Sequence, residues 1–207
     1  MTMYIPQHFS QTDPDILLDV MQQYSFATLV SNSEGGPYAT HLPVTARMDA
    51  GTVRIGAHVA RANPHWRALE ADPQALVIFH GPHAYVSPAL YRSKNRVPTW
   101  NYIAVHASGQ ASVSHAAKDK LEQLSALIAR NEPAYRTQFD TIAPDLREGL
   151  INAIVAIEIT VEKLEGKFKL GQHRLADDRP ELQTRHEQGG ENERAIAEWM
   201  KRLGYWQ

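Results

Sequence analysis

The segment Ile154-Val155-Ala156-Ile157-Glu158-Ile159-Thr160-Val161 is so dense in β-branched residues that an extended strand is the natural expectation. Similar runs recur upstream. Phe26 to Ser31 and Tyr38 to Val44 flank Ser33-Glu34-Gly35-Gly36-Pro37, whose glycines allow positive φ and whose proline fixes its own, so residues 26–44 read as a hairpin. Thr52 to His58 follows the tight turn Asp49-Ala50-Gly51. Ala75 to His80 is a continuous apolar run short enough for a buried strand, and residues 84–87 and 100–113 continue the β pattern. The strand–helix rhythm of a doubly wound sheet is missing, as is a G-x-G-x-x-G after a strand, which argues against a dinucleotide site of that kind. The class expected is α+β, mainly antiparallel β.

Helices are expected at the edges of this pattern. Asp13-Pro14 precedes Ile16, Leu17, Val20 and Met21, a short amphipathic helix with an acidic start. Ala117 to Arg130 places Leu121, Leu124, Leu127 and Ile128 on one face with charges opposite. Leu146 to Ile151 reads as a shorter helix, and Ala195 to Leu203 puts Ile196, Trp199, Met200 and Leu203 on one stripe. Asp177 to Arg194 is charged, glycine-containing and almost without apolar residues, and reads as an exposed or disordered linker. The organisation expected is therefore one domain over residues 1–174, followed by a charged linker and C-terminal helix over 175–207.

Composition narrows the chemistry. The 207 residues are 43 % apolar and 21 % charged, ordinary for a globular chain able to bury its own core. With no cysteine, disulfides, thiolate metal sites and cysteine nucleophiles are excluded, in keeping with a cytoplasmic setting. The first residues have neither the basic flank nor the apolar run of a signal peptide, and no stretch has the length of a membrane span. A net charge of −2 argues against a dedicated nucleic-acid-binding domain. No G-x-S-x-G or H-E-x-x-H motif supports hydrolysis. His80-x-x-His83 is a candidate metal pair only if the chain bends between two residues that otherwise face opposite ways.

Three segments carry chemical character. In His58-Val59-Ala60-Arg61-Ala62-Asn63-Pro64-His65-Trp66-Arg67, asparagine as N-cap and proline at the first position mark a helix reaching about Ala71. Such a start attracts phosphate, with Arg61 as cation and His58 as helper, although the same residues also describe a capped surface helix. His80 to Pro88 and Val97 to Tyr102 gather His83, Tyr85, Trp100, Asn101 and Tyr102 near sharp bends, the mixture expected of a planar-ligand pocket and equally of core or interface aromatics. Lys163 to Arg174 is the one locally basic stretch, a contact for phosphate or a solvated edge.

Taken together, Met3-Tyr4-Ile5-Pro6, Ala39-Thr40-His41-Leu42-Pro43, His58 to Trp66, His80-Gly81-Pro82-His83-Ala84-Tyr85-Val86-Ser87, Val97 to Tyr102 with Val105-His106, and Lys169-Leu170-Gly171-Gln172 resemble the PaiB family of FMN-binding split-barrel proteins, often labelled negative transcriptional regulators. The resemblance runs in order from residue 3 to about 174 and departs from the family pattern at Leu90 and at Gly171-Gln172-His173. It implies a split β-barrel with peripheral helices, FMN as cofactor, and a homodimer with flavin sites at the interface. The residues it nominates for the cofactor are Thr40, His41, His58, Arg61, Asn63, Trp66, His83, Tyr85, Trp100, Asn101, Lys169 and Gln172. Trp100, Asn101 and Tyr102 would reach the flavin ring from the partner.

Two roles follow from the resemblance: a flavin-binding regulator or sensor, and an FMN-dependent oxidoreductase acting on a small substrate, with His41 and His83 as proton donors. A haem-binding split barrel is a third, with no one of the ten histidines singled out as axial ligand.

Overall fold

A computed structural model describes residues 3–92, 96–174 and 176–205. Its strands are β1 (Ser10–Gln11), β2 (Phe26–Ser33), β3 (Gly36–Pro43), β4 (Thr45–Asp49), β5 (Thr52–Ala60), β6 (Gln74–Val86), β7 (Thr99–Ser114) and β8 (Ile154–Lys169). The helices are α1 (Pro14–Gln23), α2 (His65–Ala71), α3 (Ala117–Asn131), α4 (Tyr135–Asp140), α5 (Pro144–Asn152), α6 (Arg179–Glu187) and α7 (Glu191–Arg202). The strands form one sheet in the order β3-β2-β6-β7-β8-β5-β4, with β1 beside β8. The expected hairpin is present as β2 and β3, paired antiparallel from Phe26↔Pro43 to Ser33↔Gly36.

The chain divides into two compact units, and β6, β7 and β8 each run through both. The larger comprises residues 14–79 and 106–164. Its core is built by period: Leu17, Val20 and Met21 share one face of α1, and alternate residues of the strands, such as Leu29, Ile55, Val77, Val155, Ile157 and Ile159, are fully buried. At Gly109 of β7, an added Cβ would stand 2.0 Å from the Thr160 carbonyl oxygen of β8, so only glycine fits.

The smaller unit comprises residues 1–13, 80–105 and 165–207. Phe168 meets Trp199 edge-to-face at 5.8 Å, over a core that includes Leu170, Leu182, Ile196 and Met200. Here the sequence expectation needs correcting. Residues 177–194 are not a linker, because Ala176–Asp178 is a 3-10 turn and Arg179–Glu187 is helical. Two side chains four residues apart, Leu182 and His186, bury one face of this otherwise charged helix, and α7 packs on it. So sparse an apolar stripe is invisible in composition. The strand read at 84–87 is, up to Val86, the end of β6, which continues through Gly81-Pro82, and Lys163 to Lys169 of the basic stretch are the continuation of β8.

Replacing Gly109 by alanine should lower the unfolding free energy by about 3 kcal/mol, because backbone rather than a flexible side chain must move. Gly149→Ala, at an exposed position in α5 with no atom near the new Cβ, should instead raise it by up to about 1 kcal/mol. Urea denaturation of the two variants checks the contrast.

Candidate functional site

In the larger unit, the segment nominated for phosphate folds largely as its capping chemistry dictates. Asn63 Oδ1 accepts from His65 N at 3.0 Å and starts α2. The carboxamide is otherwise spent inside the chain, since its Nδ2 donates to Thr40 Oγ1 at 3.2 Å and its Oδ1 also accepts from Tyr38 OH. Thr40 Oγ1 bonds to His65 Nδ1 at 2.8 Å, while Ser31 Oγ bonds to His65 Nε2 at 3.0 Å. His65, not nominated from sequence, is the hub: it is fully buried, both ring nitrogens are satisfied, and burial lowers its pKa. Thr40 and Asn63 therefore brace α2 against β2 and β3.

Arg61 and Trp66 are also engaged. Arg61 Nε donates to the carbonyl of Asn152, the last residue of α5, at 2.7 Å, and Trp66 Nε1 donates to the Arg61 carbonyl at 3.0 Å. The exposed His41 pairs through Nδ1 with Thr28 Oγ1 at 2.9 Å. His58 lies on the outward face of β5, half-buried, with its pKa lowered by burial.

Residues 117–130 are helical as expected, but what lies over that face is not the side of the helix that its leucines mark. Lys120 and Gln123 are buried, and the leucines of α3 are only half-buried. Gln123 covers Gly56, where an added Cβ would stand 2.1 Å from its Oε1. Lys120, one turn earlier, has Arg61 as its electrostatic neighbour. From Gly56 towards Arg61, α3 therefore runs back over the stretch that carries His58. The Lys120 side chain is 1 % exposed, and its ammonium makes no hydrogen bond or ion pair among the described residues. Burial first, and then Arg61, lower its pKa. A buried cation without a counter-ion is costly, and such groups concentrate where a ligand supplies the missing charge.

The smaller unit carries the other nominated residues. Asn101 does not share the surface of Trp100: it is 2 % exposed, and its Nδ2 meets His186 Nε2 of α6 at 3.2 Å. Gln172 is consumed by the end of β8, donating to the carbonyls of Phe168 and His8 and accepting from Leu170 N. His83, Tyr85 and Trp100 do come together, with Trp100 6.0 Å from each of the other two rings. Gly81 and Pro82 are both buried while His80 and His83 are both exposed, so the strand bends as the histidine pair required. Among the described residues, however, no three His, Asp or Glu side chains gather at metal spacing.

These observations describe flavin-compatible chemistry, and the comparisons with known proteins decide the family. A family described as "Putative FMN-binding domain" matches residues 3–163. The protease synthase and sporulation protein PAI 2 of Bacillus subtilis is 39 % identical over 179 residues, 85 % of each chain. The chain belongs to the PaiB family. Its cofactor is FMN, as the family domain assigns.

Among solved structures, the flavocytochrome Anf3 of Azotobacter vinelandii is similar at a TM-score of 0.63 and 15 % identity, over 80 % of this chain and 72 % of that one. An FAD- and haem-binding protein of Mycobacterium smegmatis is similar at 0.62 and 20 % identity, over 78 % and 73 %. These likenesses concern the fold, the antiparallel split barrel with peripheral helices. The donors in hand fit a phosphate-bearing cofactor in kind, since Lys120 is a buried residue without an ion pair among the described residues and Arg61 adds a second cation.

His186 sets a pH limit on the fold. Burial is the main cause holding its pKa near 4, against 6.5 for a free histidine, and its Nδ1 has no hydrogen-bond partner among the described residues. The unfolded chain therefore binds this proton first as pH falls. The stability His186 contributes is complete above about pH 6.5 and is lost progressively towards pH 4. At about 1.4 kcal/mol per pH unit the loss approaches about 3 kcal/mol. Urea midpoints at pH 7 and about 4.5 should show this extra loss in the wild type. The double variant His186→Leu/Asn101→Leu, which orphans neither partner, should lack it.

Proposed function

We propose that this chain is a flavin-dependent regulator or sensor whose FMN phosphate is read by Lys120, Arg61 and His58. The observation that carries the reading is the Lys120 side chain, packed away from solvent without an ion pair among the described residues and with Arg61 as a neighbouring cation. A phosphate dianion supplies the charge that this region lacks and turns an energetic cost of the empty fold into selectivity for FMN over riboflavin. When bound, the flavin supplies the redox chemistry, and the chain supplies its binding and orientation. The regulatory role rests on the label that the resemblance to the PaiB family carries, and the absence of cysteine is in keeping with a cytoplasmic setting.

A second copy of the chain is the proposed partner. The outward face of β3, β2 and β6 in the larger unit pairs Phe26 with Pro43 and sets Val30 between Ala39 and Leu76, with Ile78 beside Thr28. Phe26 is 68 % exposed, and Val30, Leu76 and Ile78 are half-exposed. Contiguous apolar surface of this kind marks an association site. Phe26→Glu should convert a dimer into a monomer in sedimentation velocity, and a wild-type monomer at micromolar concentration would remove the proposal.

The oxidoreductase reading is favoured by one further feature, a cavity of about 610 Å³ in the smaller unit lined by His80, His83 and Trp100, which has room for a small substrate and ring nitrogens able to exchange protons. Rapid reduction of bound flavin by NADH or NADPH would support it. A promoter-fragment mobility shift at low salt would support direct regulation instead.

Fluorescence titration tests the phosphate reading. Lys120→Met should weaken FMN at least about tenfold, leave riboflavin little changed, and stabilise the cofactor-free protein by about 1–3 kcal/mol by removing an unpaired buried charge. Equal weakening of FMN and riboflavin would refute the assignment.

A further inference from the structure

The turn Glu34-Gly35 joins β2 to β3 in the larger unit, and between this end of the hairpin and α2 lies an open groove of about 720 Å³. One wall is the hairpin, with Asn32, Ser33, Glu34 and Tyr38. The other is a stripe of α2 and its cap, where Pro64, Arg67, Ala68 and Ala71 recur three and four residues apart. The methyl groups of Ala68 and Ala71 are too short to fill the space. A volume of this order serves small-molecule ligands.

Most polar groups around the groove are already spent. Ser33 Oγ donates to the Gly36 carbonyl at 2.7 Å, and Tyr38 OH donates to Asn63 Oδ1 at 3.4 Å. Asp72 accepts from Asn32 Nδ2 at 3.4 Å and from Gln74 N at 3.1 Å.

Two charged side chains are left. Glu34 on the hairpin and Arg67 on α2 are both exposed, and neither side chain forms a hydrogen bond or ion pair among the described residues. The Arg67 guanidinium rests over the Trp66 ring at 4.9 Å, a contact with the flat of the group that leaves its N–H edge for an acceptor. Opposite charges thus line one groove without pairing with each other.

A carboxylate, a guanidinium and apolar surface in one groove select by charge as well as by shape. A nucleic acid or polyphosphate satisfies Arg67 but meets Glu34 as a like charge. A simple amine or a simple acid answers one of the two charges and leaves the other. A zwitterion answers both, because its ammonium suits Glu34 and its carboxylate suits the planar fork of Arg67.

We propose that this groove binds a zwitterion with an apolar side chain, the chemistry that a free amino acid and a short peptide share. The ammonium meets Glu34, the carboxylate meets Arg67, and the apolar part covers Pro64, Ala68, Ala71 and the Tyr38 ring. None of these residues is assigned to the flavin phosphate.

Calorimetric titration of the FMN-loaded full chain with leucine, dileucine, isoamylamine and isocaproate tests it. At least one of the two zwitterions should bind saturably and about tenfold or more tighter than the amine and the acid, which each lack one charged end. Tighter leucine identifies the free amino acid as the ligand, and tighter dileucine the peptide. Arg67→Gln should weaken the zwitterion about tenfold and bring it level with the amine, and Glu34→Gln should bring it level with the acid. Both positions are exposed, so FMN affinity should stay unchanged. Ala71→Phe, which fills the groove from an exposed position, should block the ligand and also retain FMN.

Absence of binding by either zwitterion at millimolar concentration overturns the proposal, as does wild-type affinity no better than that for the amine or the acid. Binding that survives all three substitutions unchanged puts the ligand elsewhere and overturns it too. None of these outcomes bears on Lys120, whose test compares FMN with riboflavin.

Discussion

β7 and β8 approach so closely at Gly109 and Thr160 that only a hydrogen fits on the Gly109 α-carbon. The contact sits within strands of sixteen residues each, and both strands continue into the smaller unit. Register along such strands is an all-or-none property, because a slip of one residue turns every buried side chain outward. Holding that register brings Ile103 and Val105 of β7 and Phe168 of β8 inside, and leaves Trp100, Lys167 and Lys169 on the outward face. The core and the outward face are thus two sides of one constraint.

Charge is distributed with similar economy. Most polar groups nominated from motifs brace the fold: Thr40 and Asn63 orient His65, Asn101 meets His186, and Gln172 closes the end of β8. Satisfied in this way, they give rigidity but leave little bonding capacity for a ligand. Several of the groups left over are cations. Among the described residues, Lys120 is buried without an ion pair, and Lys167, Lys169 and Arg174 form none either. An overall net charge of −2 does not reveal such local excesses of cations.

Legibility followed the range of the forces involved. Strands with dense β-branched residues, the β2–β3 hairpin and α1 were readable because alternation, turn chemistry and helical period are local. The start of α2 was readable to within a residue for the same reason: the helix begins at His65, one position later than Asn63-Pro64 suggested, and the Asn63 carboxamide still accepts from His65 N. α6 was not, because its burial depends on Leu182 and His186 alone among charged neighbours, and only packing with α7 makes that face an inside. α3 misled for the opposite reason: its leucine stripe satisfied helical periodicity, yet Lys120 and Gln123 occupy the buried side.

By itself the sequence determined the strand-rich class, the punctuation of the sheet and the ordered set of motifs that mark the family, since each rests on steric preferences of neighbouring residues. Tertiary structure alone decided which polar side chains are spent and which are free. Whether Asn63, Asn101 or Gln172 can meet a ligand depends on partners brought from distant parts of the chain. The worth of a lysine likewise depends on whether a carboxylate arrives beside it. Hydrogen bonds and desolvation are properties of surroundings, and surroundings exist only once the chain has folded.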